Sequence, residues 1–150
     1  MGTFLAIYVR VPVAPHVSHR LARYGEAVGE PGSDFCGVEL SVVRYQTAAR
    51  GEFADLAALS TELDTNALLL GFCGITNWFR FGHWRAGRRL RALESVGGDS
   101  GSEWKLDEGA PEPWEPESFG ALRAGRLEQD IDAHGAAESA ARFYRLPGWA

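Results

Sequence analysis

Residues 77–95, NWFRFGHWRAGRRLRALES, decide how the chain folds. Residues alternate at period 2 up to Ala86-Gly87, break there, and resume. Alternation about a Gly-containing dipeptide predicts a β-hairpin with a two-residue turn. Pairing across that turn sets Trp84 opposite Arg89, His83 opposite Leu90, Gly82 opposite Arg91, Phe81 opposite Ala92 and Arg80 opposite Leu93. One face then carries Phe79, Phe81, His83, Leu90 and Ala92 and reads as the core side. The other carries Trp78, Arg80, Trp84, Arg89, Arg91 and Leu93. A one-residue slip would exchange the two faces. Guanidinium groups stack on indoles, and such surfaces are favoured in interfaces. Trp78, Arg80, Trp84, Arg89 and Arg91 are therefore the candidate partner- or anion-binding residues.

Working outward, residues 3–11 (TFLAIYVRV) have the β-branched and aromatic content of a largely buried strand, ended by Pro12 and Pro15. Val17, Leu21, Tyr24 and Val28 recur at helical spacing over 16–28, and Phe53, Leu56, Leu59 and Leu63 do so over 52–64. Between these helices, 36–45 (CGVELSVVRY) reads as a strand. Residues 67–75 (ALLLGFCGI) are apolar on both faces, which predicts a strand in the middle of the sheet. After the hairpin, 103–106 adds a short edge strand, and 110–116 (APEPWEP) is too proline-rich for regular structure. Helical stretches are expected over 117–133, weakened by Gly120 and Gly125, and over 136–145. The small residues Ala136, Ala137, Ala140 and Ala141 permit close packing there, with Leu146 and Trp149 docking behind them.

The expected class is α+β: one mixed sheet with a central hairpin, helices mainly on one face, and C-terminal helices closing the domain. Residues 1–150 form a single domain in this reading. The sheet and two helices occupy 1–98, an acidic Pro-rich segment 99–118, and a C-terminal helical region 119–150. The length suffices to bury a core without staples. A net charge of −5 argues against a general nucleic-acid binder. Cys36 and Cys73 cannot build a disulfide framework and fit a reducing compartment. The apolar run at Phe4–Val9 is too short for a secretory signal or a membrane span, so a cytoplasmic protein is expected.

Candidate chemistry is sparse. Cys36, Cys73, His16, His19, His83 and His134 show neither C-x-x-C nor H-E-x-x-H spacing, so neither metal nor cofactor is expected. Cys73 with His83 as base would need adjacent strands facing one pocket. Glycine-rich phosphate loops and a G-x-S-x-G elbow are absent. The charge pattern is the more informative feature. Residues 99–118 hold Asp99, Glu103, Asp107, Glu108, Glu112, Glu115 and Glu117 against Lys105, while 80–91 hold five arginines and no acid. The acidic segment either folds across the hairpin as an intramolecular lid, or leaves the arginines open to a phosphate, nucleotide or acidic partner, or leaves them simply solvated.

The run W-R-x-G-x-x-x-R-x-L at Trp84–Leu93 is followed by Trp104, by P-E-P-W-E at Pro111–Glu115, and by F-Y-R-L-P-G-W at Phe143–Trp149. Over this second half the chain resembles small bacterial proteins, of no assigned activity, built on the same three segments. The resemblance implies one intact bacterial domain and supplies no catalytic residue. The sequence thus points to a non-enzymatic accessory domain binding a protein partner or itself through the aromatic/Arg hairpin face, without nucleic acid or membrane. The alternative is an anionic-ligand binder or enzyme using Arg80, Arg89 and Arg91.

Overall fold

The stretch 66–73 has seven consecutive buried residues and forms the axis of the fold. The computed structural model describes residues 3–11, 14–40, 54–97, 101–119 and 131–149. Its elements run β1 (Thr3–Val9), α1 (Pro15–Leu21), β2 (Val28–Gly29), β3 (Cys36–Glu39), α2 (Ala54–Glu62) and β4 (Asn66–Cys73). There follow β5 (Trp78–Arg85), β6 (Arg88–Val96), β7 (Glu103–Gly109), α3 (Glu115–Phe119) and α4 (Ala133–Tyr144). One seven-stranded sheet has the order β2-β3-β1-β4-β5-β6-β7, with β4 at its centre.

The α+β class holds, but the sheet is antiparallel rather than mixed. β3 and β4 flank β1 on either side and both run against it. The crossover through α2 therefore joins strands that are parallel but never adjacent.

Helices cover both faces, which corrects the expectation of helices mainly on one. Leu5, Ile7 and Val9 point to one side of β1, where Val17 and Leu21 of α1 and Leu56 and Leu59 of α2 meet them. Ala6 and Tyr8 point to the other side, into the cluster of Phe79, Phe81, Phe119 and the alanines of α4. A strand apolar at every position needs cover on both sides.

The expected edge strand extends through 103–109, and the Pro-rich run gives way to α3 at Glu115. Residues 41–45 of the expected second strand and 120–130 of the expected helical stretch lie outside the described residues. α1 stops at Leu21, although Tyr24 remains buried.

α4 is fastened at both ends. Asn77 donates from its amide to the Ile131 carbonyl at 2.5 Å and accepts the Ala133 N–H at 3.0 Å, so the β4–β5 turn caps the helix. Ala133, Ala136, Ala137, Ala140 and Ala141 are buried, so the backbone of α4 approaches the sheet closely. Arg145 adopts a left-handed conformation and Leu146 N–H bonds Ala141 O, a Schellman-type end. Leu146 is buried, and the Trp149 indole N–H donates to the Tyr8 hydroxyl at 3.0 Å.

The hairpin turn is Ala86-Gly87, with φ of 51° and 79°, the primed type whose twist suits the flanking strands. Beyond it the register changes. Trp84 pairs with Arg89 as expected, but His83 pairs with Arg91, Gly82 with Ala92, Phe81 with Leu93 and Arg80 with Glu94. A β-bulge leaves Leu90 unpaired, so every later residue of β6 faces opposite to the expected side. Gly109 of β7 pairs with Arg91 at φ of 90°, and a Cβ there would lie 2.0 Å from the Leu90 carbonyl oxygen. Gly109→Ala should therefore cost about 3 kcal/mol or more in urea denaturation. Gly32→Ala, at φ of 88° but in open space, should cost about 1 kcal/mol. Equal losses would mean that Gly109 does not hold the bulge.

Candidate functional site: the hairpin arginines and the network beneath them

The five residues singled out in the sequence do not share a face. Trp78, Arg80 and Trp84 point toward α2 and are buried at 5%, 5% and 7% exposure. The Trp84 indole lies across Gly82, where a Cβ would meet it at 2.4 Å. Glu94, directly opposite Arg80, accepts the Trp78 indole N–H at 2.8 Å and lies 3.7 Å from the Arg80 guanidinium. Burial draws the Arg80 pKa down, with the Glu94 carboxylate opposing it. Arg91 turns to the other face, because the bulge reversed it.

Arg91 is 1% exposed and spends all three guanidinium nitrogens on the protein. Nε and Nη2 donate to the two oxygens of Glu115 at 2.8 and 2.6 Å, a bidentate fork. Nη1 donates to Asp107 Oδ1 at 2.7 Å and to the Glu108 and Gly109 carbonyls at 3.0 Å each. Glu115 is fully buried and also accepts the Glu112 backbone N–H at 2.6 Å. Burial opposes the charge on Arg91, yet its carboxylate partners hold the pKa above the ordinary arginine value. The pair is closed to a further anion. It ties the acidic segment to the sheet, but through Arg91 on the face opposite Trp78 and Trp84.

Glu112 continues the network. Its carboxylate accepts a hydrogen bond from the Tyr144 hydroxyl and lies 3.3 Å from His83 Nδ1, while His83 Nε2 lies 2.8 Å from the Asn66 amide oxygen. β4, β5, the segment before α3, and α4 thus meet at one polar cluster. Burial and the neighbouring carboxylate push the Tyr144 phenol far up, so it stays a donor. Glu112 was among the acidic residues read as possible mates of the hairpin arginines, whereas Asn66 and Tyr144 were not singled out in the sequence. The spacing of Glu112 and Glu115 either side of Trp114 was the only local signal, and Asn66 and Tyr144 arrive from distant elements.

The sheet also separates Cys73 from His83. Cys73 packs on the α1/α2 face near one end of β4, while His83 pairs with Leu68, about 16 Å along the strand, on the opposite face. No group of His, Cys, Asp or Glu among the described residues could hold a metal ion. No described helix is long and apolar enough to cross a membrane.

Of the hairpin, the tip remains open. Arg85, Ala86, Gly87, Arg88, Arg89 and Leu90 are all exposed. Arg85 and Arg88 are direct cross-strand partners, and no described carboxylate pairs with either. Arg89 reaches Glu108 on β7 yet keeps 42% of its side chain exposed, and the bulge presents Leu90 beside it. The turn is anchored from below, where Gly87 N–H donates to Ser60 Oγ at 2.9 Å. No family model, curated protein or solved structure matches this chain.

The network makes stability depend on pH. Burial works against ionisation of Glu112, but its bonds with His83 and Tyr144 outweigh that and hold the carboxyl below its ordinary 4.5. A depressed carboxyl stabilises the fold fully above its unfolded value, and the gain is lost as pH falls through the folded value. Glu112→Gln should cost about 1–2 kcal/mol near neutrality, and the gap to wild type should close below about pH 4. A constant gap between pH 7 and 3 would contradict the coupling.

Proposed function

We propose that the protein is a non-enzymatic accessory domain of the cytoplasm that binds a protein partner through the tip of its β5–β6 hairpin. The observation carrying this reading is the like-charge pair at the turn. Arg85 and Arg88 stand directly opposite each other, with Arg89 and Leu90 beside them, on a chain of net charge −5. Like charges directly opposite in a ladder destabilise it, and an acidic surface placed against them removes that cost. Leu90, at 37% exposure, adds an apolar contact beside Arg89. The tip rests on a firm base, so little order is lost on binding.

The same observation fits the earlier expectation in part. Arg89 stays in the proposed surface, whereas Trp78, Arg80, Trp84 and Arg91 support it from within. The closed guanidinium of Arg91 and the buried Arg80 argue against an Arg-lined ligand pocket between these residues. Free Cys36 and Cys73 support a reducing compartment.

Arg88→Glu sets opposite charges across the turn, so the variant should be more stable by about 0.2–1 kcal/mol. It should at the same time lose binding. The checks are sedimentation of the wild type at low salt, for self-association, and quantitative capture of partners from cell extract by both proteins. A prey or dimer lost in the variant supports the reading. Equal capture by both, or no capture by either, opposes it. A rise in wild-type Tm with inorganic phosphate or nucleotides, abolished by the substitution, would replace the protein partner with a small anion.

A further inference from the structure

The face of the sheet that α4 covers is not covered evenly. α4 contacts β4 and β5, and β2, only two residues long, ends the sheet on the far side. Above β1 and β3 this leaves a groove of about 380 Å³, with Trp149 in its wall. A volume in this range suits a small organic molecule and is far short of a protein interface.

Its lining is aromatic. Phe4 and Phe72 stack at 5.7 Å, Trp149 stands edge-on to Phe4 at 5.3 Å, and the Tyr8 ring rests on Gly37. Tyr8 already accepts the Trp149 indole N–H, and burial pushes its phenol up to about 12, so it remains neutral. His134 sits against Phe72 with its Nδ1 turned to Glu138 at 3.3 Å. Among the described residues, no lysine or arginine lines the groove. Among the described residues its one carboxylate is Glu39, exposed on β3 beside Ala6 and without an ion pair there.

We infer that this groove is a binding site for a free organic cation carrying a quaternary or alkylated ammonium group. Such a group is attracted to the faces of Trp, Tyr and Phe because their π systems are electron-rich, and the attraction grows when the cation is desolvated. Glu39 supplies the countercharge at the rim while the methyl groups sit against the rings. Among the described residues an anion would meet Glu39 and no Lys or Arg. A neutral apolar ligand would gain from the rings but not from the carboxylate. This site is separate from the hairpin tip and does not depend on it.

The test follows the Trp149 indole N–H by NMR in the full-length protein, at constant ionic strength set with sodium chloride. The probes are tetramethylammonium, choline, the neutral choline isostere 3,3-dimethyl-1-butanol, and a short peptide bearing trimethyllysine. Saturable shifts of Trp149 with both cations are expected, in the millimolar range, with the neutral isostere about tenfold weaker. Glu39→Gln lies on the surface and should weaken cation binding about five- to tenfold, whereas Trp149→Phe should retain more of it than Trp149→Ala. No saturable shift up to about 50 mM would overturn the site. Equal affinity for the neutral isostere, or an unchanged affinity in Glu39→Gln, would overturn the cation assignment. Tighter binding of the trimethyllysine peptide than of choline would overturn the free-cation reading.

Discussion

The buried fork between Arg91 and Glu115 is the constraint on which the outer half of the sheet depends. Two formal charges at 1% and 0% exposure are expensive to desolvate, and their mutual fork, with Asp107 on the other guanidinium nitrogen, offsets that cost. Their geometry is supported from three directions. The Leu90 bulge turns Arg91 inward, Gly109 lets β7 press against that bulge, and the Glu112 backbone N–H fills the remaining side of Glu115. With the fork in place, Trp114 is carried onto Phe79 and Phe81 at 6.1 and 5.1 Å, which roofs a face that would otherwise be open. Glu112 is then positioned for Tyr144, and the far end of α4 is drawn to the same spot.

This arrangement separates the arginines by task. Those that the sheet buries, Arg80 and Arg91, hold strands and segments together. Those beyond the bulge, Arg85, Arg88 and Arg89, form a cationic tip on an acidic protein. A single extra residue in β6 divides the two groups. The bulge is a device for aiming side chains in opposite directions from one strand. The proposed partner surface and the internal network are products of the same local irregularity.

Much of this was legible from periodicity. The β-branched and aromatic run of β1, the doubly apolar β4, and the Ala86-Gly87 turn each left a direct imprint, because buried strands favour such residues and primed turns demand positive φ. The alanines of α4 likewise announced close packing. The bulge left none: Leu90 is apolar and fits a core face as well as an exposed tip, so nothing local argued against an unbroken register. That error moved Arg91 to the wrong face and hid its partner. The acidic segment was recognised as a possible mate for the arginines, but which carboxylate would be buried depends on the turn at 110–114. Asn66 and Tyr144 reach Glu112 and His83 only through the assembled fold, at separations no sequence window spans.

The most direct test of the account is a double-mutant cycle at the fork, read by urea denaturation at neutral pH. Arg91→Met should lose about 3–5 kcal/mol, because it strands the buried Glu115 carboxylate, and Glu115→Leu should lose less, because Asp107 still pairs with the guanidinium. Together they remove both charges and fill the space with apolar groups, so the double variant should recover most of that loss. Losses that simply add would show that the two residues are not coupled and would contradict the central role given to the pair.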